Sequence, residues 1–106
     1  MDEKKHLREE ERRSHLLEML TDEDPGNRWK AIESLAREGD SNAIDPLIQA
    51  LSDEDWRVRQ KAAWALGYLG DPRALVPLRR ALREEREGVK EIMLEAIDEI
   101  TRKSRG

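Results

Sequence analysis

Displaced by 31 positions against itself, the chain brings fourteen identities into register over residues 20–50 without a gap. Among the pairs are Asp24/Asp55, Arg28/Arg59, Ala31/Ala62, Leu35/Leu66, Gly39/Gly70, Asp40/Asp71, Pro46/Pro77 and Leu47/Leu78. Chance matching in a chain this rich in charge, Ala and Leu gives about two or three, so Asp22–Leu51 and Asp53–Leu82 are one structural unit used twice. A looser copy of its first half falls on Glu84–Ile100. A unit of this length cannot bury its apolar face alone; it has to stack on copies of itself.

Within each unit the apolar residues recur at helical spacing and the punctuation is explicit. Asp24-Pro25 reads as an N-cap acid followed by Pro at the first helical position, and the helix it opens should run from about Pro25 to Glu38. Gly39 closes it as a left-handed residue, and Asp40 caps the next helix, which ends near Leu51. Asp55, Gly70 and Asp71-Pro72 repeat the scheme, predicting helices over about 56–69 and 72–82. A first helix spans residues 3–20 and a last one about Glu87–Lys103. Pro46 and Pro77 fall inside their predicted helices, where each should remove a hydrogen bond and bend the axis.

Placing residues 56–69 at about 100° per residue separates three faces. Val58, Ala62, Ala65, Leu66 and Leu69 form the core stripe. Ala63 and Gly67 lie beside it, and a helix-interior Gly is expected where another helix approaches closely. Opposite the core lie Arg57, Gln60, Lys61, Trp64 and Tyr68. One period on from Gly67 stands Asp98, which a tight helix contact would reject, so Asp98 marks the last unit as a cap.

The string VRQKAAWALGYLGDPRALVPLRRAL, residues 58–82, resembles the HEAT-like repeats first described in phycobilin lyases. The resemblance covers nearly the whole chain. It implies an all-α fold, an α-solenoid of three helical hairpins at about 1–39, 40–70 and 71–106 in a single domain. Outer helices would be roughly 3–20, 41–51 and 72–83, and inner, concave-face helices roughly 25–38, 56–69 and 87–103. For function it implies either a protein-binding scaffold or a tetrapyrrole-binding, bilin-lyase-related activity. HEAT folds also include an iron-binding hydroxylase that uses His-Glu pairs and a DNA glycosylase with a basic, aromatic-bearing concave face, which gives DNA binding through Trp64, Tyr68, Arg57 and Lys61 as a third, weaker reading. Here His6 and His15 are each followed by Leu, so the metal pairs are absent.

Composition narrows the classes further. The 24 acidic and 20 basic residues are interspersed and leave a net charge of −4, so neither nucleic acid nor an anionic membrane is a favoured partner. With no Cys there is no disulfide framework and no Cys-based zinc site. The polar amino terminus is unlike a signal peptide and no apolar run reaches membrane-spanning length, which points to a cytoplasmic protein. No phosphate loop, nucleophile–base set or metal pair stands out, so no catalytic residue, metal or cofactor is assigned and a noncatalytic role is favoured. Arg28, Arg59 and Lys90 recur in register, each after acidic residues, as a ladder of exposed ion pairs between units would.

The aromatics carry the functional expectation. Trp29, Trp56, Trp64 and Tyr68 all lie on inner helices. Trp64 and Tyr68 are i, i+4 neighbours, and Trp29 aligns with Gln60 on the same stripe, so Trp29, Trp64 and Tyr68 should form one exposed patch, with Arg57, Gln60 and Lys61 around it. Trp56, at the position of Pro25, is expected to pack in the loop. Clustered exposed aromatics mark recognition surfaces, whereas the bland alternative packs them on each other and on the stems of Arg37 and Lys61. Glu91, Glu95 and Glu99, a solvated row taken alone, add an acidic edge. The partner expected is a protein bearing apolar and basic groups, and a homo-oligomer is compatible with the same surface.

Overall fold

Four aspartates start helical segments and two glycines stop them. The computed structural model describes residues 2–105, apart from the side chains of Asp2, Lys5 and His6, so the reading of His6 lies outside what is described. The Asp24, Asp40 and Asp55 carboxylates each accept the backbone N–H two residues on at 2.8 Å, and Asp71 does so at 2.9 Å. Gly39 and Gly70 take φ of 69° and 70°, the left-handed conformation that ends a helix without a Cβ clash. Between these signals lie α1 (Asp2–Met19), α2 (Pro25–Glu38), α3 (Ile44–Ala50), α4 (Trp56–Leu69), α5 (Leu75–Glu84) and α6 (Lys90–Arg105), with no strand among the described residues.

Two local expectations are corrected. Pro46 and Pro77 do not lie mid-helix, because Asp40 and Asp71 first cap 3-10 turns, Ser41–Ala43 and Pro72–Ala74, and the α-helices begin only at Ile44 and Leu75. Each proline therefore sits in the first turn of its α-helix, where no N–H is required. The last helix begins at Lys90 and not at Glu87. Arg86 stands one period after Asp55, so the acid that would cap an earlier start is missing, and Glu87–Val89 remain a turn.

α1 packs on α2, α3 on α4 and α5 on α6, and the repeats join chiefly through α2 on α4 and α4 on α6. Leu35, Leu47, Leu66, Leu78, Met93 and Ile100 are fully buried along this seam. A Cβ on Gly67 would lie 3.0 Å from the Ala96 Cα, so the expected close approach at Gly67 is that of α6. The side chain of Asp98 is 70% exposed, as a capping residue requires. Outer helices stand farther apart, with grooves of about 380 and 420 Å³ between α1 and α3 and between α3 and α5. Each lining residue of the first has its counterpart one period on in the second (Leu20/Leu51, Pro46/Pro77, Ala50/Ala81), to which Asp53, Arg59, Glu85 and Arg86 are added, so both follow from the solenoid's splay. The fold is a HEAT-like α-solenoid.

The ladder between units is real for two arginines and stronger than a surface ladder. Arg28 is buried; it donates to the Asp22 and Glu23 carbonyls at 2.7 and 3.1 Å and to both Asp53 carboxylate oxygens at 2.9 and 3.0 Å. Arg59 repeats this one unit on, donating to the Asp53 and Glu54 carbonyls at 2.8 and 3.1 Å, to Glu85 at 2.9 Å and to Glu87 at 2.5 Å. Burial pushes the Glu85 carboxyl up, but the Arg59 guanidinium and the Glu87 N–H pull harder, and its pKa is lowered. Lys90 is exposed and forms no third rung among the described residues; of the acids that precede it, Glu85 is already engaged by Arg59.

Candidate functional site

Helical spacing sets Trp64 and Tyr68 one turn apart on α4, where their rings stack with centroids 5.4 Å apart and planes at 22°. Lys61, one turn earlier, points its ammonium between repeats. It lies 4.3 Å from the Trp29 ring centroid on α2 and 4.4 Å from that of Trp64, with Glu33 Oε1 at 3.4 Å. Trp29, Lys61, Trp64 and Tyr68 thus form one continuous stack across two inner helices. Each cation–π contact stabilises by roughly 0.5–1 kcal/mol where water is near, more as it is excluded. Glu33 also accepts from Arg37 at 3.3 Å, and the two cations, Arg37 first, hold its carboxyl below the usual range.

The structure brings together four of the six expected contact residues, Trp29, Lys61, Trp64 and Tyr68, and sets two apart. Lys61 is not a free surface lysine; only 16% of its side chain is exposed, held by two rings and a carboxylate. Trp64 is half-buried and packs against the core, which corrects its placement on a stripe with no core role. Tyr68 is 53% exposed and is the open end of the stack. Gln60 is exposed. Arg57 is exposed too but folds back on Asp55 at 2.8 Å, where its side chain first and its own N–H next bring the Asp55 carboxyl down to about 2. Trp56 does not pack away in the loop: it is 45% exposed at the first residue of α4, directly after the Asp55 cap. His15 is exposed, and no group of acids and histidines fit to hold a metal occurs among the described residues.

Beside the stack, α4 and α6 enclose a groove of about 310 Å³ lined by Trp64, Gly67, Tyr68, Ile92, Glu95, Ala96, Glu99 and Lys103. Its floor is the Gly67–Ala96 contact. Of its far wall, Glu95 and Glu99 are the expected acidic edge, whereas Ile92 and Lys103, which carry no motif, were not foreseen. The signal was present in the period: Ile92 stands 31 residues after Lys61, so it faces back toward α4 as Lys61 faces α2. Lys103 reaches across to the α4 terminus and donates to the Gly67 and Tyr68 carbonyls at 3.3 and 2.8 Å, which complements the negative end of that helix.

Paired helices stacked through an inner row, with an aromatic and acidic surface on that row, define a repeat scaffold of the α-solenoid class. Within that class, the sequence profile of HEAT repeats matches residues 13–98, and the chain belongs to the HEAT repeat family. No curated protein matches it closely enough to be named as a relative.

Proposed function

We propose that this protein is a noncatalytic interaction module that docks a partner protein on the inner helical row, centred on Trp64 and Tyr68. The observation that carries the reading is the Trp29–Lys61–Trp64–Tyr68 stack. The equivalents of Trp64 and Tyr68 in the preceding unit are Glu33 and Arg37, so stacking the units does not demand bulky aromatics at these positions. Rings already locked by neighbours lose little entropy on binding, which favours their use as anchors. HEAT repeats are commonly protein-interaction scaffolds, in keeping with this role.

The surface fits the other partner classes less well. A tetrapyrrole of the kind bilin lyases handle carries propionates, and a nucleic acid carries phosphates; both would meet Glu91, Glu95 and Glu99. The neighbouring Lys103 ammonium is already spent on helix carbonyls. Among the described residues, no helix is long and apolar enough to cross a membrane. The test is affinity capture from the cell of origin with the wild type, Tyr68→Ala and the outer-face variant Val76→Ser. A protein held by the wild type and Val76→Ser but lost by Tyr68→Ala supports the reading. Loss with Val76→Ser alone moves the surface to the outer helices, and a bilin absorbance band in the eluate favours the tetrapyrrole activity.

A further inference from the structure

Resting on that docking surface, we infer that the α4–α6 groove takes an arginine or lysine side chain presented by a basic segment of the partner. The argument starts from what the protein does one repeat earlier. Between α2 and α4, the Lys61 ammonium lies against Trp29 and Trp64 with the Glu33 carboxylate at 3.4 Å, so a cation is held there by rings and one acid. Between α4 and α6 the same two kinds of wall recur. Trp64 and Tyr68 line it with rings, and the opposite helix contributes Glu99, already paired with Arg102, and Glu95, which carries no ion pair among the described residues.

The lysine does not recur. At the position of Lys61, α6 carries Ile92, which gives the groove an apolar side and leaves Lys103 as the one lysine in its lining. The nearby basic groups are committed elsewhere: Lys103 to the Gly67 and Tyr68 carbonyls, and Arg102 to Glu99 at 2.6 Å. Glu91 and Glu95 are exposed and form no ion pair among the described residues. A guanidinium or ammonium entering from a partner would lay its charge on the open face of Tyr68, the outer end of the stack, its alkyl stem along Ile92 and its N–H groups toward Glu95. Anionic partners are repelled by the same acids.

The probe is a twelve-residue peptide carrying three lysines, with an arginine version and an acetyl-lysine version, followed by fluorescence anisotropy and by the indole N–H resonances of the protein. The lysine and arginine peptides should bind and the acetyl-lysine peptide should not, with Trp64 the indole that shifts most. Glu95→Gln, an exposed and nearly isosteric change, should weaken binding about tenfold. Equal binding of the acetylated peptide, no effect of Glu95→Gln, or a shift confined to Trp56 overturns the inference. A captured partner that needs Tyr68 but is indifferent to Glu95→Gln would leave the docking surface standing and remove the cation from it. A peptide that needs Glu95, alongside a captured partner indifferent to Tyr68→Ala, would do the reverse.

Discussion

Arg59→Ala should be among the most damaging single substitutions outside the apolar core. The side chain is 13% exposed and that of its partner Glu85 only 2%, so removing the guanidinium strands a carboxylate in a place water barely reaches. Breaking a buried pair from one side costs about 3–5 kcal/mol, most of it the penalty on the charge left behind. Removing both partners tests that division. Arg59→Ala/Glu85→Ala has no stranded charge; it loses the two bonds that Arg59 gives to the Asp53 and Glu54 carbonyls, the solvent-facing pair with Glu87 and the Glu87 N–H bond to Glu85, together about 1–3 kcal/mol. The double variant should therefore be more stable than Arg59→Ala by about 2 kcal/mol, although it lacks one more side chain. Urea melts with an unchanged slope report this directly. Arg57→Ala, removing an arginine on a surface acid, should leave the midpoint nearly where it was. An Arg59→Ala midpoint close to that of Arg57→Ala would refute the argument and return the ladder to the surface.

Leu66→Ala, at a fully buried site on α4, should cost about 2–5 kcal/mol in a thermal or urea melt, and Gln60→Ala on the exposed face almost nothing. Gly67→Ala gains helix propensity of about 1 kcal/mol but forces a Cβ to 3.0 Å from the Ala96 backbone, an overpacking cost of about 1–3 kcal/mol. It should be destabilising, whereas Gly88→Ala, with nothing near its added Cβ, should not. Acid should weaken the fold through Asp55: its carboxyl is lowered from 3.8 to about 2, so the unfolded chain takes up the proton first. That contribution is complete above about pH 4 and is lost as pH falls through the window toward 2; in Asp55→Asn, stability should fall less over this window.

Local grammar was legible where one residue decides it. Asp24 and Gly39 bracket α2, and Asp55 and Gly70 bracket α4, at the ends the sequence marks, because a cap and a left-handed glycine act within two or three residues. Where the same grammar was misread, a competing local rule had priority. Asp40 and Asp71 open 3-10 turns first, which moves Pro46 and Pro77 into first turns, and Arg86 removes the cap that would have started α6 earlier. Facing was legible for Leu66 and Gly67 from period alone. The surface was less so. That Lys61 sits between Trp29 and Trp64 depends on the rotation of α2 against α4, and that Glu95 faces Trp64 depends on how closely Gly67 lets α6 approach. Neither rotation is written in a single helix.

The most direct test of the docking surface is the affinity of the captured partner for Tyr68→Ala. Tyr68 is exposed and closes no core contact, so a wild-type melting temperature can be required of the variant before binding is measured, which Trp64, packed against the core, does not permit. A ring at the centre of an interface typically carries about 2 kcal/mol or more, a loss of about thirtyfold in Kd. Titration calorimetry should show that loss with Tyr68→Ala and an unaltered Kd with Val76→Ser on α5. A Tyr68→Ala variant that melts and binds like the wild type would contradict the assignment of the inner aromatic row as the functional face.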